Sequence, residues 1–188
     1  MNMEFVMALF LGIGLSATCG FRVFVPLLGL SIAAHVGHLD LAHGFGWIGS
    51  WPATIAFAVA TVIEIGAYFI PWVDNLLDTI ATPAAVIAGT MVTASVIGDV
   101  SPLLRWALAI VAGGGIAGIV QSSTVLVRGT STATTGGAAN PVVSAGELGA
   151  SIVGTIISIV VPVVAVILVA LILFLIMRKI RSLGKSSC

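Results

Sequence analysis

Arg22 stands inside an apolar block, residues 3–34, that is about one and a half times as long as the ~20 residues a spanning helix needs. No other feature limits the fold as strongly. A central arginine in a membrane helix costs roughly 2.5–3.5 kcal/mol on insertion scales, so it faces a partner, a water-filled cavity or a ligand rather than lipid. Gly20 and Pro26 bracket Arg22, and both residue types weaken a helix. The block therefore reads either as one steeply tilted, kinked span or as two short helices, 4–18 and 21–34, folded at Gly20 into a re-entrant hairpin. Irregular backbone at membrane depth is tolerated only in protein or beside water, so the hairpin implies a cavity.

The remaining composition agrees with a membrane setting. Of 188 residues, 59% are hydrophobic and 7% are charged, against the quarter or so that are charged in soluble domains. The mean hydropathy is +1.23. Seven basic residues balance seven acidic ones, and only the C-terminus is basic, which leaves nucleic acid without an electrostatic footprint. Cys19 and Cys188 lie at opposite ends of the chain and do not suggest a disulfide framework. The expected class is an all-α polytopic membrane protein with about 4–6 transmembrane or re-entrant helices and a broken first element.

One integral membrane domain, 1–188, follows from the pattern. After the 3–34 element comes a mixed loop, 35–51, whose His35, His38, Asp40 and His43 are interrupted by glycines and read as solvated rather than metal-binding. Membrane helices are expected at 53–70, 84–98, 103–127 and 147–177. Asp74 and Asp78, with Leu76 and Ile80 on the other side, read as a short amphipathic surface turn before a half-helix. Residues 128–141, rich in hydroxyls and glycine, read as a connector or a re-entrant loop. Small residues Gly114 and Gly118, and again Gly146, Ala150 and Gly154, are spaced for close helix packing. The basic tail, 178–188, places the C-terminus in the cytoplasm by the positive-inside rule. Counting back with 147–177 as one span puts 128–141 outside and the histidine loop inside.

Deep ionisable groups mark candidate function. Arg22 and Glu64 form the preferred pair, with Glu147 and Asp99 as further charged candidates and Ser16 and Thr18 as hydroxyls beside the break. Ser16 to Gly20 also echoes Thr132 to Gly136, each followed by a proline within a few residues, as an inverted repeat with broken helices would be.

Gly14-Leu15-Ser16-Ala17-x-x-Gly20-Phe21-Arg22-x-Phe24-x-Pro26-Leu27-Leu28, with Gly49-Ser50-Trp51-Pro52 and Asp74-x-Leu76-Leu77-Asp78-x3-Thr82-Pro83, resembles a family of small bacterial inner-membrane proteins of unassigned function. The resemblance covers most of the chain and implies a multi-pass protein of the bacterial inner membrane. Separately, Arg22-x-Phe24-x-Pro26-x2-Gly29 is similar to the arginine and proline signature of the DedA membrane proteins. That likeness implies re-entrant hairpins and a lipid-phosphate or anion site. The acidic re-entrant motif and the length of that family are missing here.

No metalloprotease, serine hydrolase or phosphate-loop motif is complete, so an enzyme, a metal and a cofactor are not expected. The expected function is membrane transport of a small solute, ion or lipid by a homodimer among membrane lipids. In it Arg22 binds an anionic small molecule or lipid head group, and Glu64 or Glu147 is the protonatable partner. The alternative is a non-transporting scaffold or assembly factor whose buried charges only hold helices together.

Overall fold

The computed structural model describes residues 2–70, 73–98 and 100–185, and among these the ordered elements are all helical. The first block is two helices, α1 (Met3–Cys19) and α2 (Phe24–His35), separated at residues 20–23. The chain reverses there. Asn2, Glu4 and Phe5 at the start of α1 line the same cavity as Asp40, Leu41 and His43 beyond α2, so both outer ends of this hairpin lie at one end of the bundle, here the first end. Gly20 follows α1 at its C-terminus, and a Cβ there would lie 2.6 Å from Val120 Cβ and 2.7 Å from the Ala117 carbonyl oxygen, so the position needs glycine. Pro26, expected at the break, instead sits in the first turn of α2, where its missing N–H is one of the helix's orphan donors.

Three rods then cross between the ends. α3 (Trp51–Tyr68) starts on Ser50, whose hydroxyl accepts from Ala53 N–H, with Pro52 in the first turn. α4 (Val73–Val96) is one continuous helix with Pro83 inside it, not a surface turn followed by a half-helix. Leu76 and Ile80 point outward while Asp74 and Asp78 are buried, the amphipathic pattern turned inside out, as a lipid surround favours.

The third rod is helical from Pro102 to Thr135, longer than the 103–127 span expected from sequence. It consists of α5 (Pro102–Leu108), a π-helical turn (Ala109–Gly114) and α6 (Gly115–Thr135). Residues 128–135 are thus helix rather than loop. Thr130, Thr134 and Thr135 direct their hydroxyls to carbonyls four residues back, so hydroxyl-rich sequence still leaves the backbone satisfied. Gly136, at φ +65°, ends the helix in the left-handed conformation that glycine adopts freely. The echo between residues 16–20 and 132–136 reduces to two helix ends, one buried at a hairpin tip and one exposed.

α7 (Asn140–Val160) and α8 (Pro162–Lys185) meet at Val161, where Pro162 opens a new helix. Ala165 of α8 and Ser158 of α7 both border Gly14, and Ile172 of α8 lines a cavity with Val143 and Gly146 of α7. α8 therefore returns toward the end from which α7 came. The expected single span over 147–177 is a second hairpin. The C-terminal helix ends on the same side as the 136–139 turn, and the histidine loop lies at the opposite end.

α7 is the most clearly sided helix. Asn140, Ser144, Glu147, Ser151, Thr155 and Ser158 face inward at helical spacing, while Val142, Val153, Ile156 and Val160 face out. Small residues let the hairpins approach. A Cβ on Gly154 would lie 2.6 Å from Thr18 Cγ2, and one on Gly14 would lie 2.5 Å from Ser158 Oγ. Gly114 and Gly118 pack on Val86 of α4 as the spacing predicts, whereas Gly146 faces open space and is no packing contact. Four of the helical segments, α3, most of α4, the long rod and α7, are long and apolar enough to cross a membrane, and this is a multi-pass membrane protein.

Candidate functional site

The tip of the first hairpin carries Arg22 into the interior, where it is 1% exposed. Its Nη2 donates to the Ser144 carbonyl at 3.0 Å and lies 3.6 Å from Glu147 Oε2. Among the described residues, its Nε and Nη1 are buried without a hydrogen-bond partner. The guanidinium carbon is 3.9 Å from the centroid of Tyr68, the only tyrosine in the chain.

A second arginine shares these partners. Arg128, 0% exposed, projects from α6 about two turns before its end and places its guanidinium carbon 4.1 Å from the same ring centroid. Arg128 Nε donates to Glu147 Oε1 at 3.2 Å, its Nη2 donates to Glu147 Oε2, and its Nη1 donates to Asp78 Oδ1 at 2.6 Å. Beyond them, Asn140 Nδ2 donates to Asp74 Oδ2 at 2.6 Å and to Thr132 Oγ1 at 3.0 Å. The result is two groups of buried polar side chains, with Asp74 and Asp78 one helical turn apart on α4, running from the hairpin tip toward the second end of the bundle. Their members come from α3, α4, α6, α7 and the hairpin break. Leu126, Val127 and Val142, all outward-facing, sheathe them.

Glu64 has a different task from the one its sequence position suggests. Its Oε1 accepts from Val23 N–H at 2.7 Å and its Oε2 from Phe24 N–H at 3.0 Å. It caps the N-terminus of α2, where orphan N–H groups and the helix dipole favour a negative charge. The expected Arg22–Glu64 pair is thus replaced by Arg22–Glu147. Glu64 holds the tip in shape, and Glu147, shared with Arg128, lies within ion-pair distance of Arg22.

Ser16 and Thr18 lie on the faces of α1 that pack against other helices. Ser16 Oγ donates to the Gly89 carbonyl and sits 2.7 Å from Thr93 Oγ1, which donates to the Gly12 carbonyl. Thr18 meets α7, with Ser151 Oγ donating to its carbonyl and Thr155 Oγ1 to its hydroxyl. Both hydroxyls lock helices and stand outside the arginine network. Asp99 lies outside the described residues.

Sequence reasoning missed Arg128, Asp78, Asp74, Tyr68 and Asn140. The usable signals were Arg128 directly after apolar Leu126 and Val127, and two aspartates at i, i+4 in a chain with so few charges.

Two openings reach this region from the lipid-facing side. One of about 280 Å³, between α6 and α7, is lined by Phe21, Val120, Thr124, Val143 and Glu147 among others. A groove of about 190 Å³ along α1, α7 and α8 shares Phe21, Ala150 and Ile172 with it. A larger hollow of about 790 Å³ opens at the first end, beside Glu4, Asp40, His43 and Arg105, away from the network.

No curated protein and no solved structure matches the chain significantly. A family model, Domain of unknown function (DUF4126), matches residues 9–182, a range that holds the greater part of both hairpins and every residue of the arginine network. The chain belongs to the DUF4126 family.

Proposed function

We propose that this chain is a membrane transport protein in which Arg22, at the tip of a re-entrant hairpin, receives an anionic group and Glu147 is its exchangeable counter-charge. The observation that carries the reading is the half-served state of Arg22, which is buried with Nε and Nη1 unpartnered among the described residues. Buried polar groups are nearly always satisfied, and an exception calls for a functional explanation or an unseen partner. Interrupted helices at membrane depth supply transport sites in many folds, which also supports the reading. Glu64, as a cap, drops out as the coupling residue. With the basic tail in the cytoplasm, the second end of the bundle is the cytoplasmic one and the histidine loop faces outward.

The test is flux in vesicles reconstituted with purified protein, following inorganic phosphate and, separately, a fluorescent phosphatidic acid. Arg22→Ala should abolish movement of whichever probe the native protein carries, while circular dichroism stays unchanged. Native flux in that variant would end the reading.

The scaffold reading draws on Arg128, whose three nitrogens are all closed by Asp78 and Glu147. It expects the exchanged pair Arg128→Glu with Glu147→Arg to recover the stability lost in each single variant.

A further inference from the structure

The hollow at the first end of the bundle takes no part in the arginine network, and its volume of about 790 Å³ falls within the ~300–1,000 Å³ of small-molecule sites. Separate stretches of chain build it. Glu4 and Phe5 come from the start of α1, Asp40 and His43 from the loop after α2, and Leu104 and Arg105 from α5. The loop is fastened, because Ala42 N–H donates to the Ser95 carbonyl at 2.7 Å, and Phe5 and Leu41 pack against the hydrophobic core. The charged side chains are therefore carried on anchored backbone.

Two acids and a guanidinium line this one space without meeting. Among the described residues, Glu4, Asp40, His43 and Arg105 make no side-chain hydrogen bond or ion pair, whereas Arg22 and Arg128 both reach carboxylates. Arg105 is half-buried, and its Nε is buried with no partner among the described residues. An arginine nitrogen can only donate, so what completes it is an acceptor. Exposed Glu4 and Asp40 supply the opposite sign within the same hollow. A plain anion would meet these carboxylates as well as Arg105, and a plain cation would meet Arg105 as well as the carboxylates. A molecule with one charge of each sign matches both. No three His, Cys, Asp or Glu side chains among the described residues gather as metal ligands would, so an organic ligand fits the hollow better than a metal ion.

We infer that this hollow binds a small zwitterion, a molecule carrying an ammonium group and a carboxylate or phosphate, with the oxyanion on Arg105 and the ammonium on Glu4 or Asp40. The molecule is either a free solute or the head group of a lipid. The site is separate from Arg22 and stands whether or not the chain transports.

Equilibrium binding to the full chain in detergent, measured by titration calorimetry, tests it. The probes are free glycine, phosphoethanolamine and a short-chain phosphatidylethanolamine, with acetate and ethanolamine as single-charge controls. Arg105→Gln, and the pair Glu4→Gln with Asp40→Asn, should each weaken zwitterion binding by about tenfold or more, the worth of one hydrogen bond to a charged group. Both variants should keep the native unfolding midpoint, since none of these side chains is bonded to another described residue. Ala8→Trp, which fills the hollow from α1, should block binding. Binding of free glycine or phosphoethanolamine identifies a free solute, and phosphatidylethanolamine alone identifies a head group; both support the site.

No binding of any zwitterion to the native protein, or binding that ignores Arg105→Gln, overturns the site. Undiminished binding in Ala8→Trp overturns its place in the hollow. Acetate or ethanolamine binding as tightly as the zwitterions overturns the two-signed recognition, as does binding untouched by the Glu4 and Asp40 pair. Should Arg105→Gln lower the unfolding midpoint, that acidic pair, both exposed, decides in its place.

Discussion

Arg22 and Arg128 lie far apart in the chain, yet they share one carboxylate, Glu147, and one aromatic ring, Tyr68. Neither cation is neutralised alone. Arg128 holds Glu147 with two nitrogens and Asp78 with a third, so the nearest acid to Arg22 is already committed elsewhere. This unequal sharing makes Glu147 the hinge of the network. Replacing it disturbs both arginines at once.

Glu147→Gln should therefore destabilise the protein by about 3–5 kcal/mol, the range for removing one partner of a buried ion pair. Asp78→Asn should do less, because Arg128 keeps its two bonds to Glu147. Midpoints of denaturant unfolding in the same detergent give the comparison, and equal losses would count against a shared hinge.

How much of this was readable beforehand depended on which solvent the residues were read against. Arg22 was legible, because thirty-odd apolar residues around one guanidinium have few solutions, and a hairpin folded at Gly20 was one of the two that the sequence left open. Arg128 was hidden by the hydroxyl-rich run after it, which in water reads as a loop. In lipid Thr130, Thr134 and Thr135 return their hydroxyls to the helix's own carbonyls, and the rod continues to Thr135. Asp74 and Asp78 were read as a surface turn because their helix is amphipathic. The amphipathicity was real and its direction was reversed. Glu147 was recognised as a charge, but its partnership with residues 22 and 128 is a long-range fact that no local pattern encodes.

Ser16 and Thr93 make a testable lock between α1 and α4. Each hydroxyl donates to the carbonyl four residues before the other, Ser16 to Gly89 and Thr93 to Gly12, and the two oxygens lie 2.7 Å apart. Ser16→Ala and Thr93→Val should each cost about 1 kcal/mol. The double variant should cost less than their sum, with an interaction energy of at least ~0.5 kcal/mol. Strict additivity in a double-mutant cycle would show that the hydroxyls act independently.

Glu64 supplies the sharpest separation between support and exchange. As a cap it accepts from Val23 and Phe24, and Gln in its place keeps one acceptor oxygen while losing the charge that complements the α2 N-terminus. Glu64→Gln should lower stability by about 1–2 kcal/mol, in the range of a lost helix cap. Hydrogen exchange should speed up at the Val23 and Phe24 amides before it does so along the rest of α2, because opening the hairpin tip exposes those two first. If Glu64 were instead the coupling acid, Glu64→Gln would remove the pH dependence of flux and leave exchange at the tip unchanged. The geometry, with both carboxylate oxygens turned to backbone N–H groups, sets the expectation on the side of the cap.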